Sequence, residues 1–136
     1  MSTQMTLEEL IENFSFLDNW EDKYRYLIEL GDQLPSFNEE DKIDLNKVDG
    51  CMSQVWFVHK QEGDKHFFNA TSDAHIVRGL EAVLLTLING KTSQEIQNLN
   101  LIEIFKQLGL ESHLSPTRRN GFYAMVERIL TLSNNK

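Results

Sequence analysis

The stretch HFFNATSDAHIVRGLEAVLLTLI, residues 66–88, changes period in its middle. His66-Phe67-Phe68-Asn69-Ala70 has the short, aromatic composition of a β-strand. Further on, apolar residues recur at helical spacing: Ile76, Val77, Leu80, Val83, Leu84, Leu87 and Ile88. A helix apolar over so much of its circumference belongs in a core. Ser72 or Asp73 can cap it. Gly79 in its interior costs about 1 kcal/mol relative to Ala, which predicts a close backbone approach there.

Toward the N-terminus, Ser53–His59 reads as a strand and Gln61-Glu62-Gly63-Asp64 as a turn. A further strand is expected from near Asn46, turning at Gly50-Cys51. Three short strands joined by turns imply an antiparallel sheet, since parallel neighbours need a long crossover. Residues 36–47 are polar and acidic and read mostly as loop. Before them stand two helices. The first opens on the capping box Thr6-Leu7-Glu8-Glu9. The second is capped by Asn19, carries Trp20, Tyr24, Leu27 and Ile28, and has Gly31 as its C′ residue.

Toward the C-terminus, Thr92-Ser93-Gln94-Glu95 is a second capping box. Leu101, Ile104, Phe105 and Leu108 mark another helix. Ser115-Pro116 opens the last, with Phe122, Met125, Val126, Ile129 and Leu130 as its buried face. Helices, then strands, then helices give an α+β class: a small three-stranded antiparallel sheet packed by N-terminal and C-terminal helices. The length fits one domain, residues 1–136.

The net charge of −8 argues against nucleic acid as a partner. It is unevenly spread: residues 1–50 hold thirteen acids against four bases, a net −9, while residues 51–136 are close to neutral. The simplest reading is a solvated acidic face; the sharper one is a face complementary to a basic protein. No run approaches the roughly 18–20 apolar residues that span a bilayer. The first residues lack the pattern of a secretory signal, and with a single Cys the expected setting is cytoplasmic and reducing.

That single cysteine, Cys51, stands in Val48-Asp49-Gly50-Cys51-Met52-Ser53-Gln54-Val55-Trp56. Alone, it can form neither an intrachain disulfide nor a multi-thiolate metal site. It is either a buried filler or a working thiol. Its place after Gly50, at a turn entering a strand, puts the second on an even footing with the first. Arg118 and Arg119 are candidate cations for a thiolate, although Asp49 opposes one. Two cations in a first helical turn also conflict with the helix dipole, which hints at an anionic partner group. A Cys–His pair would make a hydrolase or peroxidase, but none of His59, His66, His75 and His113 is spaced to suggest it. No metal-binding, phosphate-loop or dinucleotide motif is present.

Four stretches resemble the SufE sulfur-acceptor family, including its CsdE branch. They are Trp20-Glu21-Asp22-Lys23-Tyr24 through Leu34-Pro35, the Val48–Trp56 thiol loop, Ser72-Asp73-Ala74 with Ile76-Val77-Arg78-Gly79-Leu80, and His113-Leu114-Ser115-Pro116-Thr117-Arg118 with Asn120-Gly121. The Ser53-Gln54 context looks more like SufE than CsdE. The resemblance implies an α+β fold shared with IscU-type scaffolds. It implies a sulfur-transfer partner and activator of a PLP-dependent cysteine desulfurase (SufS- or CsdA-like) rather than a stand-alone enzyme. Cys51 would accept persulfide sulfur and pass it to an iron–sulfur scaffold complex, SufBCD-like. No cofactor or metal of its own is implied. Gly50, Ser53, Asp73 and Arg118 match positions around the thiol loop and its partner; Arg119 departs from the pattern. A lone Cys also suits a carrier, because a second thiol would resolve the persulfide and release its sulfur.

Overall fold

Capping chemistry sets where the helices begin. The computed structural model describes residues 6–50 and 53–134. Helix α1 (Leu7–Ser15) starts at Thr6, whose side chain accepts from Glu9 N while Glu9 accepts from Thr6 N. Asn19 caps α2 (Trp20–Asp32) through Asp22 N. Two 3-10 turns, Glu39–Asp41 and Asp44–Asn46, interrupt the acidic loop that follows. Strands β1 (Val55–Glu62) and β2 (Lys65–Ser72) form an antiparallel hairpin with Val55 opposite Ser72 and Glu62 opposite Lys65. The core helix α3 (His75–Ile88) leads to the two-residue strand β3 (Lys91–Thr92), which pairs with the start of β2. Helices α4 (Ser93–Asn98), α5 (Leu101–Gln107) and α6 (Pro116–Ser133) complete the chain. The α+β class and the three-stranded antiparallel sheet are as expected, in the order β1-β2-β3.

The third strand is not the expected one. Residues 46–50 contribute a single bridge, Lys47 to Trp56, and one bond from Val48 N to Val55 O at 2.8 Å. Before that bridge the backbone coils into the 3-10 turn Asp44–Asn46, and Arg128 of α6 takes the carbonyls of Lys47 (3.0 Å) and Leu45 (2.7 Å). The real third strand lies beyond α3. There the Asn89 amide imitates a strand residue, accepting from Phe68 N at 2.7 Å and donating to Phe68 O at 3.2 Å.

One continuous core joins the layers. Phe14, Leu27, Phe57, Leu80, Leu84, Phe105, Phe122 and Ile129 are all essentially inaccessible. Phe105 and Phe122 stack with centroids 3.8 Å apart, tying α5 to α6. A hydrogen-bonded chain closes the far end of the sheet. Ser93 Oγ donates to Ser133 O at 2.6 Å, so it must accept from His66 Nε2 at 2.8 Å. His66 Nδ1 is then the acceptor for His59 Nε2 at 2.7 Å. Burial and the neighbouring His66 lower the His59 pKa, favouring the neutral form of His59.

Helices α2 and α3 touch backbone to backbone. A Cβ on Gly79 would press on the Leu27 carbonyl, with its carbon at 2.7 Å; one on Gly31 would lie 2.7 Å from Gly79 N. The close approach expected at Gly79 is therefore present. Gly31 is not the expected C′ residue: α2 continues to Asp32, and Gly31 is small because α3 lies against it. Gly79→Ala gains about 1 kcal/mol of helix propensity, but the clash is with backbone, and overpacking costs typically ~1–3 kcal/mol or more. The variant should be less stable by roughly 2 kcal/mol in urea denaturation.

Glu81, on the same helix, is fully buried, and neither carboxylate oxygen has a hydrogen-bond partner. Burial pushes its pKa from 4.5 up to about 9, against a smaller opposing pull from Arg78. Between those values the folded chain keeps a proton that the unfolded chain releases, so stability falls as pH rises through the window. Each unit is worth ~1.4 kcal/mol. Glu81→Gln should flatten the slope, with its stability advantage growing by several kcal/mol between about pH 5 and pH 9 in urea titrations.

Candidate functional site

The thiol loop is built from its stem upward. Val48 N bonds Val55 O at 2.8 Å, closing the stem. Gly50 takes φ +93°, a left-handed conformation that side chains disfavour. Its Cα also faces α6, where an added Cβ would lie 3.3 Å from the Ala124 methyl. Cys51, the expected thiol, lies outside the described residues with Met52. On the far side of the loop, Gln54 is doubly tied to Asp73. Gln54 N donates to Asp73 Oδ1 at 3.1 Å, and Asp73 N donates to Gln54 O at 3.3 Å.

This corrects the reading of Asp73 as a possible helix cap. The N-cap of α3 is Ala74, which makes no side-chain cap bond. Ser72 Oγ accepts from Ala74 N at 3.2 Å, two residues on, in a local turn. Asp73 turns the other way because β1 runs alongside and presents the Gln54 amide. Its carboxylate thus spans the strand end and the helix entry.

Ser53 lines a cavity of about 170 Å³ between the loop, α3 and α6. Its apolar walls are Val77 and Leu80 of α3 with Phe122 and Met125 of α6, and Gly121, Ser115 and Thr117 border it. Arg118 also lines it. One guanidinium nitrogen, Nη1, is inaccessible to solvent and has no hydrogen-bond partner. Arg118 is held there because Ser115 caps α6 through the Arg118 N–H at 3.3 Å. Arg119 does different work. Its Nη1 donates to Glu111 O at 3.4 Å, and Tyr123 donates to Glu111 Oε2 at 2.6 Å, fastening the 3-10 turn Glu111–His113. The hydrogen bond to Glu111 raises the Tyr123 pKa. Two adjacent arginines at a helix start are thereby accounted for separately.

Gly50, Ser53, Asp73 and Arg118 therefore converge on one loop and one cavity. The histidines do not. His59 and His66 pair with each other, and His113 stacks on Trp20 at 4.9 Å. Among the described residues none of the four histidines lines the cavity, and no cluster of three or more His, Cys, Asp or Glu could hold a metal ion. None of the described helices is long and apolar enough to cross a membrane. Arg128 escapes sequence reasoning. It grips the loop stem from 81 residues away, and no local pattern signals that.

Fold and site together define a small α+β protein whose Gln54–Asp73 tie adjoins a cavity lined by Ser53, Arg118 and the apolar side chains of α3 and α6. The family model SufE, Fe-S metabolism associated domain, matches residues 8–133, and the chain belongs to that family. An uncharacterized SufE-like protein of Rhizobium meliloti (strain 1021) is 47% identical over 91% of each chain. A second, from Rhizobium etli, is 49% identical over 91% of this chain and 86% of its own. The sulfur acceptor protein CsdE of Escherichia coli (strain K12) is 43% identical over 94% of this chain and 88% of its own. A solution structure of a hypothetical protein from Thermus thermophilus shares the fold, with a TM-score of 0.77 over 94% of this chain and 93% of its own at 20% identity.

The Asp73–Gln54 tie is the most accessible test of how the loop is held. Asp73→Ala removes an acceptor from an exposed amide and should cost about 1 kcal/mol. Hydrogen exchange should accelerate at the Gln54 amide while amides in the middle of α3 keep their protection.

Proposed function

We propose that this chain is a sulfur acceptor and carrier for iron–sulfur metabolism, loaded by a PLP-dependent cysteine desulfurase onto Cys51. The observation that carries this reading is its 43% identity, across 94% of the chain, to a protein named as a sulfur acceptor. The family's iron–sulfur association supports the destination of the sulfur. The whole chain acts as one unit in this reading.

The transfer is a thiolate attack on a sulfur–sulfur bond. The desulfurase carries a persulfide, R–S–SH. The Cys51 thiolate attacks its terminal sulfur, that S–S bond breaks, and the partner's cysteine leaves as a thiolate. A new S–S bond has formed on Cys51, and the partner is free for another turnover, which is how the carrier stimulates it. The sulfur then passes by a second attack to an iron–sulfur scaffold complex. The sulfur anion on Cys51 must stay shielded between the two events. The unpaired Arg118 Nη1 supplies a cation for that anion, and the apolar walls of Val77, Leu80, Phe122 and Met125 limit water. Gly50, Ser53 and Asp73 give the loop its geometry: two anchored ends and a short span between them.

Incubation with a SufS-type or CsdA-type desulfurase, PLP and L-cysteine should add the mass of one sulfur to the intact wild-type chain and none to Cys51→Ser. Arg118→Ala should slow the gain by about tenfold or more, with little change in unfolding midpoint, since loss of a half-buried unpaired side chain costs at most about 1 kcal/mol. Absence of any sulfur on Cys51, with equal stimulation of the desulfurase by wild type and Cys51→Ser, would overturn the reading. Hydrolysis of thioesters or reduction of peroxide by the isolated chain would favour a stand-alone thiol enzyme instead.

A further inference from the structure

Among the described residues, four large apolar side chains stand exposed: Phe16, Ile43, Leu45 and Ile102. Single exposed leucines need no explanation. Ile43 and Leu45, at 48% and 80% exposure, differ because they share one short segment and that segment is fixed. Leu45 sits in the 3-10 turn Asp44–Asn46. Its own carbonyl accepts from Arg128 Nη2 at 2.7 Å, and the Lys47 carbonyl accepts from Arg128 Nη1 at 3.0 Å. Asn46 Nδ2 donates to Asp41 O at 2.9 Å. A guanidinium that spends two donors on peptide carbonyls holds the backbone in one shape. The apolar side chains are then presented without the ordering cost a loose loop would incur.

The setting is anionic. Glu39, Glu40, Asp44 and Asp49 are exposed and Asp41 is half-buried, against only Lys42 and Lys47 in the same segment. Lys42 is engaged by Glu39 at 2.8 Å and lies over the Trp56 ring at 5.7 Å. The segment also runs straight into the thiol loop, since Lys47 bridges to Trp56 and Val48 bonds Val55. An apolar knob inside a charged rim is the arrangement of an interface hot spot, with the rim steering approach and the knob supplying affinity.

We infer that Ile43 and Leu45 form the docking anchor of this chain, seated in an apolar cleft on a cationic surface of the desulfurase beside its persulfide-bearing site. The inference rests on the sulfur-acceptor reading and names the surface that delivers Cys51. Charge decides the occupant: the acid-rich rim fits a basic surface and disfavours the acidic face of a second copy. The rigid stem decides the location: docking at residue 45 fixes where the stem of the thiol loop starts.

Binding is measured with Cys51→Ser chains, which block covalent transfer, against PLP-loaded SufS-type and CsdA-type desulfurases by calorimetry at low and moderate salt. Leu45→Ser should raise Kd by about tenfold or more with an unchanged unfolding midpoint. Phe16→Ser, similarly exposed but outside the acidic rim, should leave Kd within about twofold. Glu40→Lys with Asp44→Lys should slow association and flatten its salt dependence. Intact-mass sulfur acceptance by the Cys51 chain runs in parallel. If that chain gains sulfur and Leu45→Ser binds like wild type, or Phe16→Ser loses as much affinity, the docking assignment falls and the carrier reading stands. If neither desulfurase binds the chain or loads it, both fall. A self-association that Leu45→Ser abolishes, with Kd for the desulfurase unmoved, would assign the knob to a second copy and overturn the inference.

Discussion

Helices α2 and α3 meet backbone to backbone at Gly31 and Gly79, and the walls of the cavity are built on that contact. At Gly31 and Gly79 the two backbones fill the space a methyl group would need. Side chains of α3 that face away from α2 then project toward α6. Val77 and Leu80, on either side of Gly79 in sequence, become walls of the cavity. A wider separation would shift these walls against Phe122 and Met125, because well-packed interiors transmit displacement rather than absorb it. A glycine that looks like a local cost in a helix is thus the condition for a cavity on the opposite face.

The described residues on either side of Cys51 and Met52 are held from three directions by elements that do not neighbour them in sequence. Asp73 ties the loop exit to the entry of α3, Arg128 of α6 grips the stem by two carbonyls, and Gly50 rests against Ala124. Each tether uses backbone groups of the loop. The two polar ties are pairs of hydrogen bonds, each bond worth on the order of 1 kcal/mol net.

Much of this was legible in the sequence, and what was not has a common cause. Local chemistry was readable. The capping boxes at Thr6 and Thr92, the Asn19 cap, the Ser115-Pro116 start and the hairpin all form where their residues indicate. The α+β class and the convergence of Gly50, Ser53, Asp73 and Arg118 follow from pattern and family resemblance. The misses are all long-range. Asp73 has the identity of a helix cap and serves a strand 19 residues away. Gly31 has the identity of a helix terminator and serves a neighbouring helix. Residues 46–50 read like a strand, yet they pair with β1 through a single bridge, and the 3-10 turn before it is braced by an arginine of the last helix. In each case a residue with a correct local meaning was diverted by a partner that only the tertiary fold supplies.

Two buried polar groups of the core make opposite arguments about what that fold tolerates. His66 is as buried as any leucine, yet both its ring nitrogens are satisfied, in a chain whose proton direction is fixed by the Ser133 carbonyl at its end. Such a network costs little and pins β2, α4 and the end of α6 together. Glu81 is equally buried and entirely unsatisfied. It survives by remaining protonated, with its pKa pushed up to about 9, so the fold avoids a buried charge but not the loss of hydrogen bonds. A sequence under pressure only for stability would replace it with an apolar residue. The helix that carries this unpaired acid is the one that walls the cavity and abuts α2 through Gly79. Among the described residues, α3 thus combines backbone-to-backbone packing with a buried carboxyl group that nothing satisfies.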